Sequence, residues 1–227
     1  EKLVNMGCNT VETYIPWNFH EPEKGNFRFD GMHDIERFIH LAEKLGLYII
    51  IRPSPYICSE WEFGGLPAWL LRDRNMRLRC SYEPYLNAVK EYYSVLIPKL
   101  VPHQCDRGGG VILVQLENEY GYYGNDTAYL EFLRDTLREL GVTVPFVTSD
   151  GPWSEPIFKS GMLNGALPTG NFGSGAEWQF GQMRKYIGEN KPLMCMEFWN
   201  GWFDVWGEEH NITPPLPRRR RQSLTSC

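Results

Sequence analysis

The stretch Val111–Gly121 reads Val-Ile-Leu-Val-Gln-Leu-Glu-Asn-Glu-Tyr-Gly, and it decides how the fold is interpreted. Five of its first six residues are apolar, and three glycines precede it at 108–110. A short apolar run with such a boundary predicts a buried parallel strand. Two carboxylates and an amide, Glu117, Asn118 and Glu119, follow at its end. Because the carboxyl ends of parallel strands carry the chemistry of α/β sheets and barrels, we expect a functional site there.

Composition limits the class of protein. A chain of 227 residues can bury a substantial core within one domain. The net charge of −5 argues against a nucleic-acid partner. No apolar run reaches the ~18 to 20 residues that span a bilayer. The six cysteines lack the spacing of a zinc site or a disulfide framework. Two triplets match the N-glycosylation acceptor rule and point weakly to the secretory route: Asn125-Asp126-Thr127 and Asn211-Ile212-Thr213.

Strand and helix patterns alternate along the chain. The patterns that predict strands are Cys8–Ile15, Leu47–Ile51, Val111–Leu116, Val144–Thr148, Leu163–Pro168 and Pro192–Glu197. Those that predict helices are Asp34–Leu45, Glu83–Leu100, Thr127–Leu140 and Glu177–Ile187. Alternation indicates a parallel sheet, either doubly wound and open or closed as a (β/α)8 barrel. No glycine-rich nucleotide-binding loop follows any strand, so the barrel is favoured.

Two carboxylates end two different predicted strands. Glu119 follows one, and Glu197 ends another 78 residues later, so in one barrel both would project over the same mouth. A pair of Asp or Glu side chains flanking one bond is what glycoside hydrolysis requires. A separation of ~5 to 5.5 Å gives retention and ~6.5 to 9.5 Å gives inversion, which sequence does not distinguish. The tryptophans that could stack on a sugar beside them are Trp17, Trp61, Trp199 and Trp202.

Four segments resemble the signature segments of glycoside hydrolase family 35, the lysosomal-type and secreted β-galactosidases, over about residues 1–211. They are Thr13–Pro22 (TYIPWNFHEP), Arg52–Trp61 (RPSPYICSEW), Gln115–Gly121 (QLENEYG) and Glu197–Asp204 (EFWNGWFD). The resemblance implies a (β/α)8 TIM barrel and retaining hydrolysis of a terminal β-galactosyl residue. It implies localisation in the lysosome, vacuole or extracellular space, and leaves the oligomeric state open.

The resemblance also implies a role for each site residue. Glu119 matches the general acid/base and Glu197 the nucleophile, whereas Glu117 is expected to support its neighbours. The side chains that match contacts to galactose, or lie on the same loop, are Tyr14, Cys58, Ser59, Glu60 and Asn118. Trp199 stands where lysosomal members often have Tyr, and we place it among the substrate-binding residues. No metal or organic cofactor is implied, and the five histidines form no ligand cluster in the sequence.

The chain is expected to hold an incomplete α/β barrel. By resemblance, residues 1–211 correspond to strands 2 to 7 of the barrel, in a fragment or an alternative-transcript product. Residues 212–227 form a Pro/Arg-rich tail with no apolar period, which predicts disorder; an SH3 ligand or a nuclear-localisation patch is the less favoured interpretation. Because catalytic groups need firm positioning, the alternative function is an inactive carbohydrate-binding remnant.

Overall fold

The structure is a computed structural model that describes residues 1–199 and 201–212. Within them, six parallel strands form one sheet in chain order, curled into a half-barrel. The strands are β1 (Thr10–Tyr14), β2 (Tyr48–Arg52), β3 (Val111–Gln115), β4 (Phe146–Asp150), β5 (Ala166–Phe172) and β6 (Cys195–Phe198). Each strand pairs with the next along the chain. The predicted incomplete barrel of parallel strands is confirmed.

Eight α-helices lie before and between the strands in the described residues. They are α1 (Lys2–Asn5), α2 (Trp17–His20), α3 (Ile35–Lys44), α4 (Glu83–Leu100), α5 (Tyr120–Tyr123), α6 (Thr127–Glu139), α7 (Glu155–Gly161) and α8 (Ala176–Ile187). Asp34 begins α3 as predicted, and its Oδ1 accepts the Arg37 backbone N–H at 2.9 Å. Asp126 caps α6 in the same way through the Tyr129 N–H.

The core has an outer and an inner layer. Apolar faces of α3, α4 and α6 pack on the outside of β1 to β4, where Ile49 and Ile51 are fully buried. On the inside of the curl, Ile50, Val147 and Met196 come together from β2, β4 and β6. Inward-pointing side chains from alternate strands fill the interior layers of α/β barrels, so this cluster has the layering of that fold.

Three sequence predictions differ from the structure. The strand predicted at Leu163–Pro168 lies instead at Ala166–Phe172, because Gly165 turns the chain with a φ of 84° just before it. The helix Glu155–Gly161 was not predicted, since its short apolar pattern is weak. The segment after β1 contains the helical turn Trp17–His20, which was not among the predicted helices.

The tail prediction falls largely outside the structure. Of the proposed segment 212–227, only Ile212 lies within the described residues. In the part of the chain that is described, none of the helices combines the length and the apolar character that crossing a bilayer requires.

Candidate active site

A cleft of about 670 Å³ lies at the carboxyl ends of the strands. Its walls come from the end of β1, the loop after β2, the residues after β3, and β6 with the segment that follows. All eight residues that the sequence placed in the site line it: Tyr14, Cys58, Ser59, Glu60, Asn118, Glu119, Glu197 and Trp199. Segments separated by more than a hundred residues thus meet in one concave surface of ligand size.

Glu119 lies four residues after the end of β3 in a partly buried position. Its backbone adopts a left-handed conformation with a φ of 46°, fixed by a 3.0 Å hydrogen bond from its N–H to the Ser149 carbonyl. Burial raises the pKa of Glu119, and a hydrogen bond from Asn171 opposes the rise. The negative charge of Glu197 raises the pKa further. This environment favours the protonated form that a general acid needs.

Glu197 projects from β6 into the same cleft and has different neighbours. Its Oε1 lies 2.7 Å from Arg52 Nη1 and accepts a 3.3 Å hydrogen bond from the Tyr14 hydroxyl. Its Oε2 accepts the Trp199 indole N–H at 3.2 Å. A cation and two neutral donors hold the carboxylate in one orientation, which suits a nucleophile.

The Tyr14 phenol is a hydrogen-bond relay between Arg52 and Glu197. It accepts from Arg52 Nη1 at 2.7 Å and donates to Glu197. Burial raises the pKa of Tyr14, an effect that Arg52 opposes and Glu197 reinforces. The phenol therefore keeps its proton at physiological pH and remains a donor.

Arg52 connects three neighbouring parts of the site. Its guanidinium is buried at the end of β2, and Nη1 also contacts Glu12 Oε1 at 2.7 Å. Its Nη2 donates to the Asn118 side-chain oxygen. Because that oxygen is occupied by Arg52, the Asn118 amide group is oriented with respect to the cleft.

Glu117 is held by a buried ion pair and does not line the cleft. Arg79 donates from Nε to Oε1 at 2.9 Å and from Nη2 to Oε2 at 2.8 Å, and Tyr129 adds a hydroxyl donor at 2.9 Å. The Arg79 guanidinium also lies over the rings of Tyr56 and Tyr123, 3.7 and 4.2 Å from their centroids. With its acceptors occupied, Glu117 positions the turn that carries Asn118.

The tryptophan prediction is only partly correct. Trp199 and Trp202 line the cleft with ring centroids 5.2 Å apart. Trp17 is fully buried, stacks on Tyr92 and donates its indole N–H within the core, so its assignment to a sugar-binding wall was wrong. Trp61 is exposed and bonds Asn18 outside the cleft lining.

Sequence reasoning missed three polar residues that support the turn from Glu117 to Gly121. Asn171 donates to Glu119 from β5, beyond the point where that strand was predicted to end. Asp150, at the end of β4, accepts the Gly121 N–H at 2.8 Å; burial raises its pKa well above the ordinary value. The rule that polar residues at strand ends form sites could have found both, whereas no pattern pointed to Arg79.

Comparison with known proteins identifies the family. The family model described as "Glycosyl hydrolases family 35" matches residues 1–221. The chain belongs to glycosyl hydrolase family 35. It is 44% identical to human Beta-galactosidase-1-like protein 2 over 212 residues, and 46% identical to human Beta-galactosidase over 213 residues.

These matches cover 93% and 92% of this family 35 chain but only 33% and 31% of the relatives. The chain thus spans about a third of their length. A solved exo-beta-1,4-mannosidase from Opitutaceae bacterium strain TAV5 superposes with a TM-score of 0.68 at 14% identity, covering 86% of this chain and 39% of that one. At that identity the likeness concerns the fold alone. It agrees with the interpretation of the curled sheet as part of a (β/α)8 barrel.

Proposed function

We propose that this chain forms the catalytic part of a retaining β-galactosidase that releases terminal β-D-galactose from β-galactosides. The observation that carries the proposal is the contrast between two carboxylates in one cleft. Glu119 lies in surroundings that favour its protonated form, whereas Glu197 is paired with Arg52. One protonated and one ionised carboxyl group is the arrangement that glycoside hydrolysis uses.

In the first step, Glu119 protonates the glycosidic oxygen while a Glu197 oxygen attacks the anomeric carbon. The bond to the leaving group breaks, and a covalent galactosyl ester forms on Glu197. In the second step, Glu119, now ionised, takes a proton from water as the water attacks the same carbon. Galactose leaves with its original configuration, and both carboxyl groups return to their starting states.

The sugar would be held by the polar side chains that line the cleft. Asn118, Glu60 and Tyr14 supply amide, carboxylate and phenol groups for hydroxyl recognition, and the Trp199 ring offers an apolar face. Cys58, Ser59 and Glu60 all have positive φ angles of 46° to 58°. Non-glycine residues in this region are uncommon and cluster at ligand-binding sites, which supports a binding role for this loop.

The direct test is hydrolysis of a chromogenic β-galactoside by the purified chain. The variant Glu197→Gln removes the nucleophile with little change of shape, and Glu62→Gln is the matched control on an exposed glutamate outside the cleft lining. We expect Glu197→Gln to lose activity by several orders of magnitude and Glu62→Gln to keep it. Equal turnover by Glu197→Gln and the unchanged chain would contradict the assigned nucleophile.

A second candidate function is carbohydrate binding without turnover. In the described residues β6, which carries Glu197, pairs only with β5, so one of its edges is free of strand hydrogen bonds. Loose support of a nucleophile reduces turnover more than it reduces binding. Galactose binding measured by calorimetry, together with no hydrolysis by the unchanged chain, would favour this candidate.

We also infer passage through the secretory route. Asn125 of the first glycosylation triplet is exposed in the short turn before α6, where a glycan would meet solvent. Expression in a glycosylating host should give a mass shift that glycosidase treatment removes and Asn125→Gln abolishes in part. A chain that is recovered from this host without any glycan would remove the support that Asn125 gives to this inference.

A further inference from the structure

Two histidines and a glutamate meet at the end of the sheet opposite the cleft. His40 and Glu43 lie three residues apart on α3, and His103 lies in the turn after α4. One ligand atom from each lies within 4.8 Å of the others. This convergence comes from the fold, because 60 residues separate Glu43 from His103 and no sequence pattern joins them.

The distance between one pair of these atoms matches the spacing of ligand atoms around a metal ion. His103 Nδ1 lies 3.3 Å from Glu43 Oε1, which is long for a charge-assisted hydrogen bond. In a tetrahedral site with bonds of about 2.0 to 2.2 Å, neighbouring ligand atoms lie about 3.3 to 3.6 Å apart. The ligand atom of the exposed His40 side chain lies within 4.8 Å of those of Glu43 and His103.

Neighbouring backbone groups orient two of the three side chains. His40 Nδ1 lies 2.8 Å from the Glu36 carbonyl, which only accepts, so Nδ1 carries the hydrogen and Nε2 is left as the ligand. Glu43 Oε1 accepts the Gly110 N–H at 2.9 Å. A side chain at position 110 would meet Glu43 Cγ at 3.0 Å, so the glycine leaves room for the carboxylate. Such outer contacts are typical of metal ligands.

We propose that His40, Glu43 and His103 bind a Zn²⁺ ion, with solvent in the fourth position. Two imidazoles and a carboxylate are a ligand set that Zn²⁺ favours. The site lies beside the residues that lead into β2 and β3, whereas the cleft lies at the other ends of these strands. The ion would therefore link α3 to the connection between α4 and β3.

The test is a titration of the chelator-treated full chain with Zn²⁺ alone, followed by calorimetry. We expect one equivalent to bind. His40→Gln and Glu43→Gln should each weaken the affinity by at least about tenfold, since even outer-shell changes cost 10- to 100-fold. The control His210→Gln changes an exposed histidine that contacts Asp204 and should leave the affinity unchanged.

A second readout is thermal unfolding with and without Zn²⁺. An ion that binds the folded state raises the melting temperature of the unchanged chain and of Glu197→Gln, and at the same Zn²⁺ concentration it raises that of His40→Gln by less. Because His40 is exposed, its replacement leaves the fold intact. The proposal is overturned if Zn²⁺ fails to bind, or if His40→Gln and Glu43→Gln bind it as tightly as the unchanged chain. Neither result depends on β-galactosidase activity.

Discussion

At the scale of single residues, the candidate active site is built on unusual backbone conformations. Glu117 and Glu119 have φ angles of 56° and 46°, a region that costs about 1 to 3 kcal/mol for a residue other than glycine. The Arg79 ion pair holds the first, and the Ser149 carbonyl holds the second. These buried polar contacts therefore offset the energetic cost of the strained backbone. The same backbone conformation places Asn118 and Glu119 in the lining of the cleft.

The ion pair of Arg79 and Glu117 should be important for stability. Replacement Arg79→Met leaves a buried carboxylate without its cation, so we expect a loss of about 3 to 5 kcal/mol in the free energy of unfolding, measured with urea. Lys90→Met is the matched control, because Lys90 pairs with Glu139 while both side chains are more than half exposed. It should cost at most about 1 kcal/mol. Similar losses in both variants would contradict this account.

Asp150 should make stability depend on pH. Because burial raises its pKa in the folded state, the folded chain binds this proton more tightly than the unfolded chain does. The stability that comes from this tighter proton binding is fully present below the pKa that Asp150 has in the unfolded chain. It is lost as pH rises through the pKa that Asp150 has in the folded chain. Asp150→Asn keeps an acceptor for the Gly121 N–H but carries no charge that burial would penalise. The free energy of unfolding of this variant should therefore be higher than that of the unchanged chain by on the order of 1 to 3 kcal/mol near neutral pH.

Urea unfolding of both proteins between pH 4 and pH 8 checks this sign. The gain from Asp150→Asn should be small at pH 4 and increase with pH. A difference that stays constant across the range would show that Asp150 does not titrate as proposed.

At the scale of elements, each long helix begins where its sequence signals place it. Asp34 accepts the Arg37 N–H at the start of α3, and Asp34→Ala should therefore cost about 1 kcal/mol, within the usual range for an N-cap. Asp30→Ala is the control, since the Asp30 side chain makes no capping hydrogen bond to the short 3-10 helix Gly31–His33 that follows it. Equal effects in thermal unfolding would contradict the capping role.

Elements with strong local signals were predictable from the sequence. The apolar run Val111–Leu116, the helical spacing in Glu83–Leu100 and the cap at Asp34 identify three elements without help from the rest of the chain. Parallel order also followed, because strands and helices alternate. The strand β5 was misplaced, since its buried polar residues Thr169 and Asn171 resemble a loop until tertiary contacts satisfy them.

The site was predictable only where its residues lie in long motifs. Glu119, Glu197 and the residues around Glu60 belong to segments that the family resemblance covers. Arg79 and His103 contact residues that are distant in the sequence, Glu117 and Glu43. The residues around Arg79 and His103 form no sequence pattern that predicts these contacts. The contacts of such residues can be identified only from the folded structure.

At the scale of the whole molecule, Arg52 joins β1, β2, β3 and β6 across the inside of the curl. It contacts Glu12, Glu197 and the Asn118 side chain, and its own side chain is only 1% exposed. A single buried cation thus holds the first and last described strands close together around the cleft, although they do not pair within the sheet.

Removal of this cation should affect the whole half-barrel. Arg52→Met leaves Glu12 and Glu197 without their common partner, so we expect a loss of about 3 to 5 kcal/mol in urea unfolding. Arg134→Met is the control, because Arg134 pairs with the exposed Asp135 on the surface. Its cost should be at most about 1 kcal/mol. An Arg52→Met chain as stable as the Arg134→Met chain would contradict the proposal that Arg52 holds the first and last described strands together.

The central claim is that Glu197 is the nucleophile of a retaining galactosidase, and covalent trapping tests it most directly. The chain is incubated with an activated 2-deoxy-2-fluoro-β-D-galactoside, digested and mapped by mass spectrometry. We expect one fluorogalactosyl group on the peptide that contains Glu197, and none on the Glu197→Gln chain. A label on another residue, or hydrolysis of β-galactosides without any trapped intermediate, would contradict it.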